Sequence, residues 1–298
     1  MKYDVVTFGS GLVDSFIETG LSEKNRSMCY PAGSKILVKG VRSDVGGGGT
    51  NTAVAFSRFG LKTGCICGIG NDLNGLQILA CLKTEGVKFL GKKKKGQSGY
   101  SVVLDSNQHN RTILTYKGVN NNLTTNDIKW FRTKWLYLSS LLGQSLQTQK
   151  QLADKLMRKG TKLAFNPSEY LIKRHNLKPI LRLCDAVVMN KEEAAMLVGK
   201  KEKDLLKGIN SLGPKIVVIT DKNNLIKAFD GKKKYFLRPN KIKVVERTGA
   251  GDAFASSFVA GQIAGKTIED SLKLALKNSE SVIRHFGAKN KLLREGLK

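Results

Sequence analysis

The chain has 298 residues, 41 % of them apolar, enough for a large buried core in one big domain or two modest ones. No apolar run approaches the ~20 residues of a membrane-spanning helix, and the opening MKYDVVTFGSG turns polar too early for a secretory leader, so a cytoplasmic protein with no membrane partner is expected. The 51 Lys and Arg outnumber the 24 Asp and Glu, a formal charge of +27 that by itself suggests nucleic acid or other anionic partners.

In chain order, YDVVTF (3–8) reads as a buried strand. DSFIETG and SKILVKGVR, within about 14–44, alternate with period two and read as strands without an intervening helix. DVGGGGTNTAVAFSRFG (44–60) is a glycine cluster feeding a helix over 51–59, which Gly60 ends. TGCICGI (63–69) is a strand and 74–85 a helix. GYSVVLDSNQHNRTILTY, within about 97–117, is a hairpin across a polar loop. KWLYLSS (134–140), KLAFNPS (162–168), DAVVMN (185–190) and KIVVIT (215–220) are further strands, with helices at 146–159, 191–198 and 201–212 between them. From 249 onward the chain reads as helical: Phe254 and Phe258 lie four apart, Gly265 can end the first helix, and Ile268, Leu272, Leu276 and Ile283 mark a second. Strands separated by helices imply β-α-β units and a mainly parallel sheet covered on both faces. The two regions without helix imply a small antiparallel element beside it.

The five cysteines are odd in number and contain no Cys-x-x-Cys pair, so neither a disulfide framework nor a zinc site is expected. His109, His175 and His285 are scattered and read as surface or satisfied polar residues. Lysine is spread along the chain. Its densest runs, 92–95 and 232–234, follow glycines and suit turns or edge strands, where lysine blocks strand addition. A nucleic-acid surface needs lysines gathered on one face with interleaved aromatics. Trp130 and Trp135 lie in neither lysine run, so a nucleic-acid partner is not expected.

RTGAGDAF (247–254) places an acid at a helix start, where unpaired N–H groups and the helix dipole attract anions. Gly249 and Gly251 let the backbone approach a ligand closely. From this segment alone, Asp252 either caps the helix or takes a proton from a hydroxyl attacking a phosphoryl group held by those amides. In the earlier cluster, Gly46 to Gly49 form a bed on which a substrate can lie, and Asn51 offers the donor and acceptor that a polyol needs. The cluster is not a P-loop, since no Gly-Lys-Ser/Thr follows.

FGSGLVD (8–14), GGGGTN (46–51), GIGNDLNG (68–75), NKEEA (190–194) and GAGD (249–252), in this order over almost the whole chain, resemble the ribokinase-like, or PfkB, family of carbohydrate kinases. The resemblance implies a single catalytic domain: a three-layer α/β sandwich with a mostly parallel sheet and a small antiparallel β lid formed by about 14–44 and 97–117. It implies transfer of the ATP γ-phosphoryl group to a hydroxyl of a small sugar, with Mg2+. A nucleoside acceptor is the alternative, its base held by Phe16, Tyr30, Tyr100 or Tyr116, and a non-catalytic binding protein on the same fold is the rival of another class. Lids pair subunits in many members, which suggests a homodimer. Carried over by position, Asp252 matches the catalytic base, and Gly249, Ala250 and Gly251 the anion hole. Asp14, Gly47 and Asn51 match substrate contacts. Asn190 and Glu193 match the residues that organise water and magnesium around the phosphates, with no direct metal ligand, and Thr220 belongs to the nucleotide motif. The chain departs from the family at Glu246-Arg247, which leaves monovalent-cation activation open. It departs again at Lys222 and Leu225, where the nucleotide motif carries glycines; lysine there could reach phosphate.

Overall fold

The computed structural model describes residues 2–25, 27–108, 110–199, 202–245 and 247–297. His109 and Glu246 lie outside the described residues. The elements run β1 (Lys2–Phe8), β2 (Leu12–Glu18), β3 (Gly40–Gly46), α1 (Gly48–Arg58), β4 (Thr63–Ile66), β5 (Ile69–Gly70), α2 (Leu73–Thr84), β6 (Lys88–Phe89), β7 (Lys93–Lys94), β8 (Gly99–Asp105), β9 (Arg111–Tyr116) and β10 (Arg132–Ser139). There follow α3 (Gly143–Met157), β11 (Lys162–Asn166), α4 (Glu169–Arg174), α5 (Lys178–Leu181), β12 (Ala186–Asn190), α6 (Lys191–Val198), α7 (Leu205–Asn210), β13 (Ile216–Thr220), β14 (Ile226–Phe229), β15 (Lys234–Leu237), α8 (Ala250–Ile263) and α9 (Ile268–Ile283).

Nine strands form the main sheet in the order β15-β14-β13-β12-β11-β10-β1-β4-β6. The pairings from β13 across to β6 are parallel; β14 and β15 close one edge antiparallel. Neighbouring residues on each strand point to opposite faces. Val6, Leu136, Leu163, Val187 and Val217 enter the core beneath α3 to α7, while Val5, Tyr137, Ala164, Ala186 and Val218 enter the core beneath α1, α8 and α9. The central strands therefore read as unbroken apolar runs, as parallel strands buried on both faces must. Phe56 of α1 sets its ring edge-on to Tyr137, with centroids 5.5 Å apart.

A four-stranded sheet, β3-β2-β8-β9, stands beside this body. Its outer pairings are antiparallel and its central one, β2 with β8, is parallel. Several expectations shift. Residues 34–39 form no strand, the 63–69 strand divides into β4 and β5, and the helix expected over 201–212 is only Leu205–Asn210. The helical reading from 249 onward stops at Ile283; the described residues beyond it form turns and coil. Lys232 to Lys234 do lie at a turn and the start of the edge strand β15.

The tryptophans lie outside the two lysine runs, as read from the sequence, but the fold gives them other lysine neighbours. Trp130 and Trp135 share one groove with Lys2, Lys129, Lys155 and Lys162, because parallel strands bring residues distant in sequence to the same sheet end.

Candidate active site

From β1 the chain turns to one side of the sheet through β4 and β6, and from β10 to the other through β11, β12 and β13. Such a reversal opens a crevice at the carboxyl ends of the strands, the usual ligand position in open α/β sheets. The two glycine motifs meet there. Asn51 Nδ2 donates to Asp252 Oδ2 at 2.8 Å, joining residues 201 positions apart. Asp252 Oδ1 lies 3.5 Å from where a Cβ on Gly48 would stand.

Each motif is shaped by one demanding glycine. Gly47 caps α1 with φ 98°, and a Cβ there would lie 2.4 Å from the Ser10 carbonyl oxygen. Helix α1 begins at Gly48, earlier than expected, because the bed is its first turn: Gly49 N–H and Asn51 N–H donate to Ser10 O and Gly47 O, both at 2.9 Å. Gly249 caps α8 in the left-handed region (φ 81°), pressed against Ala288. Ala250 N–H donates to Arg247 O at 3.2 Å. The amides of Gly251 and Asp252 have no acceptor among the described residues, and nothing stands within 4 Å of a Cβ position on Gly251. The open donors are thus those of Gly251 and Asp252, and Ala250, expected among them, is committed to the preceding turn.

A cavity of about 240 Å³ opens onto these amides, lined among others by Asn166, Asn190, Glu193, Thr220, Gly251 and Asp252. Thr220 and Asn190 end the neighbouring strands β13 and β12 in register. Asn190 and Glu193 form a reciprocal capping box at the start of α6: Glu193 N–H donates to Asn190 Oδ1 at 2.8 Å, and Asn190 N–H to Glu193 Oε2 at 2.9 Å. The pair is thus a helix cap that also lines the cavity. Burial raises the Glu193 carboxyl to about 7, assisted by the charges of Glu169 and Glu192. Lys222 has φ 50°, backbone more suited to the glycine it replaces, and its ammonium is held by Glu192 at 2.9 Å. It is not aimed at the cavity wall. Arg247 is exposed.

On the other side of Asp252 lies the inner face of the small sheet. Asp14 on β2 stands opposite Asp44 on β3 and Ser101 on β8. Burial raises the Asp14 carboxyl, and Asp44 adds to the rise; a hydrogen bond from Ser101 and the Lys289 charge oppose it. Tyr100 and Tyr116 pair with each other one position out of step with Ser101, so they fall on the opposite face from Asp14. Phe16 shares the Asp14 face but meets Phe286 edge-on at 5.7 Å. Tyr30 lies outside the strands and is exposed.

Sequence reasoning missed Asp44, Asn166 and, above all, Lys289. Lys289 follows α9 in the coil and is buried. Arg58, bound to Glu85, donates to its carbonyl oxygen at 2.7 Å and fixes the segment. The Lys289 ammonium donates to Asn51 Oδ1 at 3.0 Å. Lysine has no acceptor, so Asn51 must turn its carbonyl to Lys289 and its NH2 to Asp252. Asp252 is partly buried and lines the cavity. Burial raises its pKa, and the Asn51 hydrogen bond and the Lys289 charge pull it down. Burial lowers the Lys289 pKa against the raising charges of Asp44, Asp14 and Asp252. In sequence, Lys289 is one of 51 basic residues with no motif around it.

Comparisons with known proteins bear on the family and the fold. The family model described as pfkB family carbohydrate kinase matches residues 11–294. A protein of Archaeoglobus fulgidus named as an uncharacterised sugar kinase is 27 % identical over 82 % of this chain and 98 % of its own length. A cytidine kinase of Thermococcus kodakarensis is 26 % identical over 95 % of this chain and 97 % of its own. Among solved structures, an Arabidopsis thaliana ribokinase complexed with ribose and ATP superposes with TM-score 0.81 at 19 % identity, covering 98 % of this chain and 96 % of that one.

Proposed function

The chain belongs to the pfkB family of carbohydrate kinases, ATP-dependent phosphotransferases acting on a sugar hydroxyl, and from that premise we propose a division of labour among its residues. Asp252 takes the proton of the attacking hydroxyl through Oδ1, the oxygen that Asn51 leaves free. The Gly251 and Asp252 amides and the positive end of α8 hold the charge on the phosphoryl group as it moves. The acceptor lies on the bed of Gly47 to Gly49 and is gripped by Asn51, Asp14 and Asp44. Two facing carboxylates suit hydroxyl donors, so the acceptor is a neutral, hydroxyl-rich sugar. The observation that carries this reading is the 2.8 Å bond between Asn51 and Asp252, which puts the acceptor bed and the candidate base in one crevice.

ATP phosphates enter the cavity between Gly251 and the capping box of Asn190 and Glu193, with Thr220 beside them. Glu193 and Asp252 are the carboxylates facing that cavity, a donor set suited to a magnesium ion carried mainly by phosphate oxygens and water. When bound, magnesium supplies neutralisation of phosphate charge; Glu193 and Asn190 would steady it through water. The small sheet, as a lid, covers the acceptor. Its outer face exposes Val41 and Leu114, which suits pairing with a second copy, readable by sedimentation.

The test is ADP release over pentoses, hexoses, sugar phosphates and nucleosides, with ATP and GTP, with and without potassium. Turnover of a neutral sugar with ATP is expected. The cytidine kinase relative makes nucleosides the informative competing arm; preference for them, or silence across all sugars, overturns the acceptor reading.

A further inference from the structure

A groove of about 1000 Å³ lies away from the crevice. It lies at the opposite edge of the sheet, at the amino ends of β1, β10 and β11, where Lys2, Arg132 and Lys162 start their strands. Along β10, Trp135 at the groove lies four residues from Ser139, roughly 13 Å at ~3.3 Å per residue.

Its lining contains no Asp or Glu. Lys2, Lys129, Arg132, Lys155, Lys159 and Lys162 are exposed around it, and none is paired with a carboxylate among the described residues. A seventh, Lys134, is matched by Asp4 at 2.8 Å. Some lysines elsewhere meet acids, as Lys191 does Asp221 and Lys215 does Asp185, and many do not; what sets the groove apart is that its unmatched cations share one hollow. Six unmatched cations around one hollow repel each other and concentrate anions. At the rim Trp130 is 69 % exposed and presents a broad aromatic surface to solvent. The Arg132 guanidinium lies over its ring at 5.3 Å, and Lys162 over buried Trp135 at 5.5 Å.

Small anions need no aromatic platform, and a bilayer meets a flat or protruding face rather than a hollow. A polyanion with flat bases uses both parts. We propose that this groove binds a single-stranded nucleic-acid segment, its phosphates tracking the lysines and one base stacking on Trp130. The charge excess of the chain then has a concentrated use, separate from the kinase crevice.

The probe is a labelled oligo(U) or oligo(dT) of ~15 nucleotides, a length that spans such a groove. It is titrated by anisotropy against the full chain at 50 and 200 mM salt, with intrinsic tryptophan fluorescence in parallel. Neutralising four or five phosphates at ~0.7 per phosphate predicts a log–log salt slope near −3, so affinity falls roughly 60-fold over that fourfold range. Quenching is expected, and Trp130→Ala abolishes most of it while weakening binding about tenfold or more. Lys155→Glu/Lys159→Glu, in the last turn of α3 and just beyond it, weakens binding at least tenfold independently of the indole. Both variants keep the wild-type melting profile and acceptor phosphorylation. Binding unchanged in both variants overturns the proposal, as does equal competition by polyphosphate of matched charge with no effect of Trp130→Ala. Capture by anionic phosphatidylglycerol vesicles without oligonucleotide binding overturns it, as does saturation by mononucleotides without dependence on chain length.

Discussion

Replacing Lys289 by methionine removes the ammonium that donates to Asn51 Oδ1 and fixes its amide. With Lys289 present, Asn51 Oδ1 receives the ammonium at 3.0 Å and its NH2 reaches Asp252 at 2.8 Å. Without it, the amide loses its reason to point that way; rotated, it would set a carbonyl against a carboxylate. A hydrogen bond to a charged group is worth about 1.5–3 kcal/mol, and each ~1.4 kcal/mol of transition-state stabilisation is tenfold in rate. Lys289→Met should therefore lower kcat/KM about 10- to 100-fold. The charge has a separate signature. Burial raises the Asp252 pKa and Lys289 opposes that rise, so losing the ammonium raises it further. The base then ionises later, and the acidic limb of the pH–rate profile moves to higher pH. Lys289→Gln separates the two effects: its amide can still donate to Asn51, so the rate should recover in part while the limb stays displaced. The assay is the pH dependence of kcat/KM for wild type and both variants, with melting curves as the fold control. Wild-type rates and an unmoved acidic limb in Lys289→Met would refute the relay.

Asp252→Asn should retain ATP and acceptor binding by calorimetry yet lose about 10²- to 10⁴-fold in kcat, the range for a general base; undiminished turnover would remove Asp252 from that role. Gly249→Ala must hold φ 81° with its Cβ 2.4 Å from that of Ala288. A cost of about 1–3 kcal/mol should lower the melting temperature by roughly 3–10 °C, and an unchanged melt would show that the turn relaxes freely. For Glu193, the folded pKa of about 7 lies above the ordinary value of 4.5. The folded state thus binds the proton more tightly, and this contribution to stability is present at low pH and lost as pH rises through about 7. Urea titrations of the ligand-free protein should show roughly 2–3 kcal/mol of such loss between pH 5 and 8, absent in Glu193→Gln; equal pH dependence in both would exclude Glu193 as its source.

The strands, the covering helices and the two glycine turns were legible in the sequence because each depends on local chemistry. Apolar runs such as KIVVIT can be satisfied only between two helical layers, and Gly47 and Gly249 meet backbone demands set within a few residues. The order of the motifs along the chain carried most of the rest, including Asn190, Glu193 and Thr220 on one cavity. The pairing of Asp14 with Asp44 was hidden because it depends on the register of two strands joined by a long irregular segment.

What the tertiary structure alone decided is where charge collects. Lys289 is one lysine among many until Arg58 anchors its backbone and burial aims its ammonium at Asn51. Lys2, Lys129, Lys155 and Lys162 are likewise scattered in the sequence, and only the parallel sheet gathers them around Trp130 at one end. Periodicity and turn chemistry act between neighbours in the chain, whereas electrostatic interaction acts through space, so the first could be read from residue order and the second had to wait for the fold.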